Sequence, residues 1–268
     1  NSTHTLPFRQ NAAPLLLHWN ENSLGMSPNA LSAAKHAIEN CGNRYPDASV
    51  DQFKLKLADH HNVKPEQIIF GNGSTEVLQA IATYAAQNNA TMVEPSPTFG
   101  DLNGYCKAEN LKVIQVPVEQ NFEMDIAALK KQAMAQTGSV LINICNPNNP
   151  TGNIVDFTTL FDWINNAPET HLFLLDEAYF DYAQANARYK SGLALINQGK
   201  DNVVITRTFS KVHGMAGMRM GYGIATENTA HKIKPFAAGF NLSAAALAAA
   251  SAALDDKPFY KKSIEYNQ

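Results

Sequence analysis

The sequence has few cysteines and no cysteine cluster. Its three cysteines, Cys41, Cys106 and Cys145, are scattered over 268 residues, and no Cys-x-x-Cys pair or Cys/His cluster is present. Structural zinc sites and disulfide frameworks need such spacings. The cysteine pattern therefore argues against both a metal site and a disulfide framework, and it is typical of a reducing compartment.

The chain also lacks a strong charge imbalance and a long hydrophobic run. Its formal net charge is −3, so we expect no electrostatic binding of nucleic acid or of an anionic membrane. The longest run of small apolar residues, 244–254, is too short to cross a membrane and instead predicts a closely packed helix. A GxxxxGK[ST] loop is absent as well, which excludes a P-loop nucleotide hydrolase.

Length and composition are those of an ordinary soluble protein. Hydrophobic residues make up 45% of the chain and charged residues 17%, enough for one large domain. We divide the chain into an N-terminal arm, residues 1–26, and a large domain, residues 27–268. From the cysteine pattern we expect a cytoplasmic protein, or a periplasmic one if a leader was removed before Asn1, since the chain does not begin with methionine.

Apolar strands alternate with helical segments along the chain. We predict strands at 68–70, 91–94, 140–145, 172–175 and 203–207, and helices at 27–41, 50–61 and 126–135. This alternation predicts an α/β fold with a largely parallel sheet that is covered on both faces. Polar clusters follow the carboxyl ends of four strands, which is where open α/β sheets bind ligands.

The most informative segment, 203–223, has one lysine after a buried strand. Thr208 and Ser210 precede Lys211 by three residues and one residue, and Arg219 follows it in a glycine-rich stretch. A nucleophilic lysine must be positioned and partly desolvated. Hydroxyl groups beside an arginine suit a small anion, most plausibly a phosphate. The segment therefore predicts an anion site next to a reactive lysine.

A second glycine-rich turn follows the strand at 68–70. Gly73, Ser74 and Thr75 open a helix whose free N–H groups and dipole favour an anion. Gly71 and Gly73 also begin a GxGxxG pattern, and Glu94 lies where a dinucleotide fold keeps its ribose-binding acid. Glu76 replaces the third glycine, however. We therefore interpret residues 73–75 as the second half of the phosphate site and keep the dinucleotide fold as an alternative.

Two further clusters follow buried strands. Residues 146–152 have the sequence Asn-Pro-Asn-Asn-Pro-Thr-Gly, and residues 176–179 have the sequence Asp-Glu-Ala-Tyr. Together with the lysine segment and with Asn-Glu-Asn at 20–22, they resemble the fold-type I aminotransferases that use pyridoxal phosphate. The resemblance is greatest to the histidinol-phosphate aminotransferases. It implies transfer of an amino group from an amino acid or amino alcohol phosphate to a 2-oxo acid, in histidine biosynthesis.

The resemblance also implies roles for individual residues. Lys211 would form the internal Schiff base and carry the proton between Cα of the substrate and the cofactor. Asp176 would pair with the ring nitrogen, so that the protonated ring accepts electrons. Asn149 and Tyr179 would hydrogen-bond the ring oxygen, and Phe99 would stack on the ring.

The same resemblance implies what binds the phosphate and the substrate. Tyr45 would reach the cofactor phosphate of a neighbouring subunit, which makes the protein a homodimer. Asn20, Glu21 and Asn22 would lie beside the substrate pocket. The cofactor phosphate would be held by Gly73, Ser74, Thr75, Thr208, Ser210 and Arg219.

The chain departs from the family pattern at its carboxyl end. Members of the family continue into a small domain that carries an arginine for the substrate carboxylate, so we expect that domain to be largely absent from this chain. Four alternatives stay open: a phosphoamino-acid decarboxylase, an aromatic aminotransferase, a non-catalytic protein that binds pyridoxal phosphate, and an NAD-dependent dehydrogenase.

Overall fold

The computed structural model describes residues 18–267, so most of the predicted N-terminal arm, residues 1–17, lies outside the described residues. Seven strands of the described chain form one sheet in the order β1-β7-β6-β5-β4-β2-β3. The strands are β1 Ile68–Asn72, β2 Thr91–Ser96, β3 Val113–Pro117, β4 Val140–Cys145, β5 His171–Asp176, β6 Val203–Thr208 and β7 Met220–Ala225.

Helices cover both faces of the sheet. They are α1 Pro28–Cys41, α2 Asp47–His61, α3 Ser74–Gln87, α4 Asp101–Ala108, α5 Ile126–Met134, α6 Phe157–Asn166, α7 Phe180–Ala183, α8 Leu193–Ile196, α9 Glu227–Ile233, α10 Ala244–Asp255 and α11 Lys257–Tyr266. No helix among residues 18–267 is long and apolar enough to cross a membrane.

The strand and helix predictions are confirmed with small shifts at their ends. Strand β4 occupies the predicted residues, β5 extends by one residue at each end, and β6 continues by one residue. Ser27 caps α1 by accepting a 3.0 Å hydrogen bond from the Ala30 N–H, and Asp125 caps α5 through the Ala128 N–H at 2.8 Å. These caps satisfy N–H groups that the first helical turn leaves free.

The sheet is mixed, with a parallel centre. Strands β3, β2, β4, β5 and β6 run parallel, while β7 is antiparallel to both β6 and β1. The central strands are buried on both faces, as their continuous apolar sequences predict. Two apolar clusters, one on each face, form the core. The predicted α/β fold with a mostly parallel mixed sheet is therefore confirmed.

Strand β7 was not predicted from the sequence. Its residues, Met-Gly-Tyr-Gly-Ile-Ala, lie in the stretch that we described only as glycine-rich. A Cβ atom on Gly221 would lie 2.1 Å from the backbone nitrogen of Ser74. The glycine therefore lets β7 pack directly against the start of α3, and this contact brings Arg219 beside the first turn of that helix.

The position of β1 does not fit a dinucleotide fold. In that fold the glycine-rich strand and the strand with the ribose-binding acid are parallel neighbours. Here β1 is an antiparallel edge strand, far from β2 in the sheet. Glu94 on β2 is 1% exposed and accepts amide hydrogen bonds from Asn103, Gln115 and Asn143. It is a buried structural acid, and the dinucleotide alternative is wrong.

Candidate active site

A cavity of about 600 Å³ lies at the carboxyl ends of β4, β5 and β6. Most of the residues selected from the sequence line it: Asn20, Glu21, Ser74, Thr75, Phe99, Asn149, Asp176, Tyr179, Thr208, Ser210, Lys211 and Arg219. Parallel strands end at the same edge of the sheet, so segments that are far apart in sequence meet here. The predicted convergence on one site is thus present in the fold.

Lys211 lies in the loop that follows β6. Its ammonium nitrogen donates hydrogen bonds to the carbonyl oxygens of Trp19, at 3.0 Å, and Asn20, at 3.4 Å. Burial lowers the pKa of Lys211, while the carboxylates of Glu21 and Asp176 oppose this shift. A lowered pKa increases the fraction of neutral amine at neutral pH, which is the form that attacks a carbonyl carbon.

Asp176 ends β5 and is 3% exposed. Its Oδ1 accepts hydrogen bonds from the Thr206 hydroxyl and the Ala178 N–H, both at 3.2 Å. Burial raises the pKa of Asp176 to about 6, although both hydrogen bonds favour the ionised form. Desolvation by the protein is therefore only partly compensated, and a cationic partner in the cavity would restore the charged form.

An anion cradle forms where α3, β6 and β7 meet. Thr208 donates a 2.8 Å hydrogen bond to the Ser210 hydroxyl, and both side chains are buried. Gly73 precedes α3 with φ +77°, and a Cβ atom there would lie 2.2 Å from Nη2 of Arg219. The guanidinium group therefore lies against the glycine at the amino end of the helix. Helix N–H groups, two hydroxyls and a guanidinium in one place suit a phosphate.

The loop after β4 is joined to the loop after β2. Asn148 accepts a 2.8 Å hydrogen bond from the Thr98 hydroxyl and donates one of 3.1 Å to the Pro97 carbonyl. Asn149, which follows Asn148, and Phe99, which follows Thr98, both line the cavity. This role of Asn148 could not be predicted from the sequence, because its partners are about fifty positions away.

Three predicted residues lie outside the cavity lining. Gly73 lies against the guanidinium group of Arg219, as described above. Asn22 lines an adjoining cavity of about 540 Å³, together with Asn20, Glu21 and Tyr179. Tyr45 is 77% exposed and its ring lies 5.1 Å from that of Phe240, which is 76% exposed. In the single chain Tyr45 is therefore a surface residue.

Asp101 is a cavity residue that was not predicted from the sequence. It begins α4 and lines the cavity near Thr75 and Arg219. Burial raises the pKa of its carboxyl group, and the hydrogen bond from Thr75 and the charge of Arg219 oppose the shift. An aspartate in a first helical turn is common for capping and dipole reasons, so the sequence carried no signal for this position.

A buried ion pair supports the site from the opposite side of β5 and β6. Nε and Nη2 of Arg207 donate hydrogen bonds of 3.0 and 2.9 Å to Oε2 of Glu177. The Ser191 hydroxyl and the Gly192 N–H complete the carboxylate's hydrogen bonds, at 2.8 and 2.7 Å. Because Glu177 follows Asp176 and Arg207 precedes Thr208, the pair joins the two strand ends that carry site residues.

The donor set fits pyridoxal phosphate. This cofactor has an aldehyde, a phosphate and a ring nitrogen that is basic. The cavity offers an amine with a lowered pKa, an anion cradle and a carboxylate whose pKa is raised by burial. In the described residues no group of three or more His, Cys, Asp or Glu side chains could hold a metal ion.

Comparison with known proteins agrees with this assignment. The family model for aminotransferase class I and II matches residues 13–268. A histidinol-phosphate aminotransferase of Geobacillus sp. (strain WCH70) is 39% identical over 93% of this chain and 67% of its own length. One of Moorella thermoacetica is 38% identical over 92% of this chain and 63% of its own length. The chain thus spans about two thirds of the length of these relatives.

Solved structures show the same fold. A putative histidinol-phosphate aminotransferase from Erwinia carotovora atroseptica superposes with a TM-score of 0.90 at 35% identity, covering 93% of this chain and 71% of the other. The Sinorhizobium meliloti histidinol-phosphate aminotransferase in complex with pyridoxal-5'-phosphate has a TM-score of 0.85 at 29% identity, covering 92% and 66%. The chain belongs to the class I and II aminotransferases, the pyridoxal-phosphate-dependent enzymes of fold type I.

Proposed function

We propose that the protein is a histidinol-phosphate aminotransferase, which moves an amino group from histidinol phosphate to a 2-oxo acid. The observation that carries the proposal is the convergence of Lys211, Asp176 and Arg219 on one cavity. The names of the most similar relatives support the choice of donor. Pyridoxal phosphate, when bound, supplies an aldehyde that condenses with amines and a ring that accepts electrons.

Lys211 is the proposed nucleophile and proton carrier. Its neutral amine would hold the cofactor, and its Nζ, when free, would take a proton from the donor's Cα and return one as a general acid. The lowered pKa makes the neutral form available for both tasks. The carbonyl groups of Trp19 and Asn20 hold Nζ inside the cavity by accepting its hydrogen bonds.

Asp176 is proposed to keep the cofactor ring protonated. Its carboxyl group is buried and its pKa is raised, so a pyridinium nitrogen beside it would stabilise the ionised form strongly. Tyr179 and Asn149 are proposed as donors to the ring oxygen. Burial raises the pKa of Tyr179, which keeps its hydroxyl protonated and able to donate. Phe99 would orient the ring by stacking.

The anion cradle is proposed to bind the cofactor phosphate. Gly73, Ser74 and Thr75 provide the first turn of α3, and Thr208 and Ser210 add hydroxyl groups. Arg219 contributes the positive charge. This anchor would hold the phosphate end of the cofactor and thereby orient the cofactor in the cavity that Lys211 lines.

Substrate binding is proposed for the surface between the two cavities. Asn20 and Glu21 line both cavities, and Asn20 donates a 3.0 Å hydrogen bond to the hydroxyl of Tyr179. We also propose a homodimer in which Tyr45 of one subunit reaches the phosphate cradle of the other. The exposure of Tyr45 and its absence from the lining of its own cavity support a role between subunits.

The test is the visible absorption of the purified chain with pyridoxal phosphate, before and after histidinol phosphate is added. We expect a band that is absent in Lys211→Ala, that bleaches with histidinol phosphate and that returns with a 2-oxo acid. Bleaching by aromatic amino acids alone would favour an aromatic aminotransferase, and carbon dioxide release from phosphoamino acids a decarboxylase. A band that no amine changes would indicate cofactor binding without turnover, and the lack of any band would overturn the proposal.

A further inference from the structure

Residues 19–25, which we call the strap, lie across the lysine loop, residues 209–215. Besides the bonds from Lys211 to the strap, the side chain of Asn22 donates a 3.0 Å hydrogen bond to the carbonyl oxygen of Val212. Gly214, at φ +65°, lies so close to the strap that a Cβ atom would be 1.9 Å from the carbonyl oxygen of Gly25. The backbone around the lysine is therefore held by contacts with the strap.

Asn22 uses all of its side-chain hydrogen-bonding groups inside the protein. The two N–H donors of its amide group are directed to Val212 and to the hydroxyl of Ser263, each at 3.0 Å, and its Oδ1 accepts a 3.0 Å bond from the Leu24 N–H. An asparagine amide has only two donor hydrogens. The side chain consequently has no free donor for a substrate unless one of these bonds is broken.

Ser263 belongs to α11 and lines the adjoining cavity together with Asn22. It is 2% exposed. Three residues earlier, Tyr260 donates a 2.8 Å hydrogen bond to Asp181, which lies two residues after Tyr179. The helix is thus joined to the lysine loop through Asn22 and to the segment of Tyr179 through Asp181. Neither α11 residue has a role in the proposed chemistry.

We propose that Asn22 is a positioning residue that couples α11 to the lysine loop and thereby holds Lys211 in place for the cofactor. This inference rests on the proposed role of Lys211. It differs from the expectation that Asn22 contacts the substrate, because a substrate contact would change KM while leaving the empty site unaltered. A positioning residue acts before any substrate is present.

The experiment compares Asn22→Ala, Asn22→Asp, Ser263→Ala and the Asn22→Ala/Ser263→Ala double variant. Asn22→Asp keeps the size and the acceptor for Leu24 but removes both donors. Asn40→Ala is the matched control, since Asn40 is exposed and bonds only to His36 in its own helix. Two properties are measured without substrate: hydrogen exchange of the Gly214 and Met215 amides, and the dissociation constant for pyridoxal phosphate.

We expect both Asn22 variants to speed exchange at Gly214 and Met215 about tenfold and to weaken cofactor binding about tenfold, because both lose the two hydrogen bonds that the amide donates. Ser263→Ala should have a smaller effect of the same kind, and it should add nothing in the Asn22→Ala background, because Ser263 acts through Asn22. Exchange in β4 should not change, which separates a local effect from global unfolding.

Unchanged exchange and cofactor affinity in Asn22→Ala, with only KM raised, would overturn the inference and favour a substrate contact. Full additivity of the two alanine substitutions would overturn the coupling to α11. Failure of the proposed function is distinguishable from both results, because it removes the lysine-dependent absorption band from the wild-type protein itself. The exchange measurement still tests the coupling in that case.

Discussion

Thr206 and Asp176 face each other across β6 and β5, and the threonine hydroxyl donates a 3.2 Å hydrogen bond to the carboxylate. This bond is one of two that favour the ionised form of a buried acid. Thr206→Val keeps the shape of the side chain and removes the donor. The pKa of Asp176 should therefore rise above about 6, and ionising it for a cationic ring becomes more costly.

We expect Thr206→Val to raise the dissociation constant for pyridoxal phosphate about tenfold at pH 7, since hydrogen bonds to charged groups contribute about 1.5–3 kcal/mol. The loss should be smaller for inorganic phosphate, which does not approach Asp176. Thr91→Val, a substitution in β2, is the matched control for a strand threonine. Equal weakening of both ligands would instead indicate a general disturbance of the cavity.

The raised pKa of Asp176 also predicts how stability depends on pH in the protein without cofactor. The folded pKa of about 6 exceeds the ordinary aspartate value of 3.8, so the folded state binds more protons between these values. The stabilising contribution of the neutral acid is complete below the lower value and is lost as pH rises through the upper one.

Asp176→Asn should remove this dependence. Between pH 4 and 7.5, the free energy of unfolding of the wild type should fall by roughly 2.5 kcal/mol relative to that of the variant. Urea unfolding at several pH values measures the difference, and Asp51→Asn, at an exposed position of α2, is the control. Parallel profiles for wild type and Asp176→Asn would show that the acid is not desolvated.

Gly73 offers a test of the anion cradle. Gly73→Ala would place a methyl group 2.2 Å from Nη2 of Arg219, so the guanidinium must move away from the amino end of α3. We expect the affinity for pyridoxal phosphate and for inorganic phosphate to fall about tenfold or more, since a charge-assisted bond is lost from each complex.

Gly199→Ala is the control that separates the effect of backbone strain from the effect of displacing the Arg219 guanidinium. Gly199 has φ +81°, close to the +77° of Gly73, but no atom of residues 18–267 lies within 4 Å of the position that a Cβ atom would take there. Both substitutions should lower stability because φ is positive, and Gly73→Ala by more, since ψ 165° at Gly73 lies in a region that is almost exclusive to glycine. Only Gly73→Ala should weaken phosphate binding, measured by calorimetry. Equal phosphate affinity in the two variants would show that Arg219 does not contribute to phosphate binding.

The sequence was informative wherever a buried apolar strand ended in a polar cluster. Lys211, Asp176 and Asn149 each follow such a strand, and parallel strand ends meet at one edge, so their convergence could be predicted. The strand β7 could not, because half of its residues are not typical strand formers. Its glycines satisfy a tertiary requirement, the close approach of β7 to Ser74, which no local pattern expresses.

The residues that support the site through contacts outside the cavity could not be predicted from the sequence either. The partners of Asn22, Val212 and Ser263, lie 190 and 241 positions away. The bond between Glu177 and Arg207 spans 30 positions. Such contacts depend on the completed fold, whereas motifs depend on the chemistry of the site itself. The reacting groups can therefore be predicted from the sequence, whereas the residues that position them cannot.

The proposed role of Tyr45 can be tested by mixing inactive chains. Lys211→Ala and Tyr45→Ala should each be defective alone, the first in cofactor attachment and the second in cofactor affinity. In a mixed dimer, the subunit that keeps Lys211 receives Tyr45 from its Lys211→Ala partner if the tyrosine acts between subunits. That site is intact, and the other site carries both defects. Random mixing of equal amounts should therefore restore about a quarter of the lysine-dependent absorption band at limiting cofactor.

If Tyr45 acts within its own chain, the same mixture should give a different result. Every mixed site is then defective, and the band stays at the level of the unmixed Tyr45→Ala protein diluted twofold. Arg44→Ala mixed with Lys211→Ala is the control, because Arg44 neighbours Tyr45 and has no proposed contact with the cofactor. In the Arg44→Ala mixture, every subunit that keeps Lys211 should contribute to the absorption band, as it does before mixing. An increase of the band on mixing that occurs only with Tyr45→Ala therefore assigns the tyrosine to the neighbouring subunit's site.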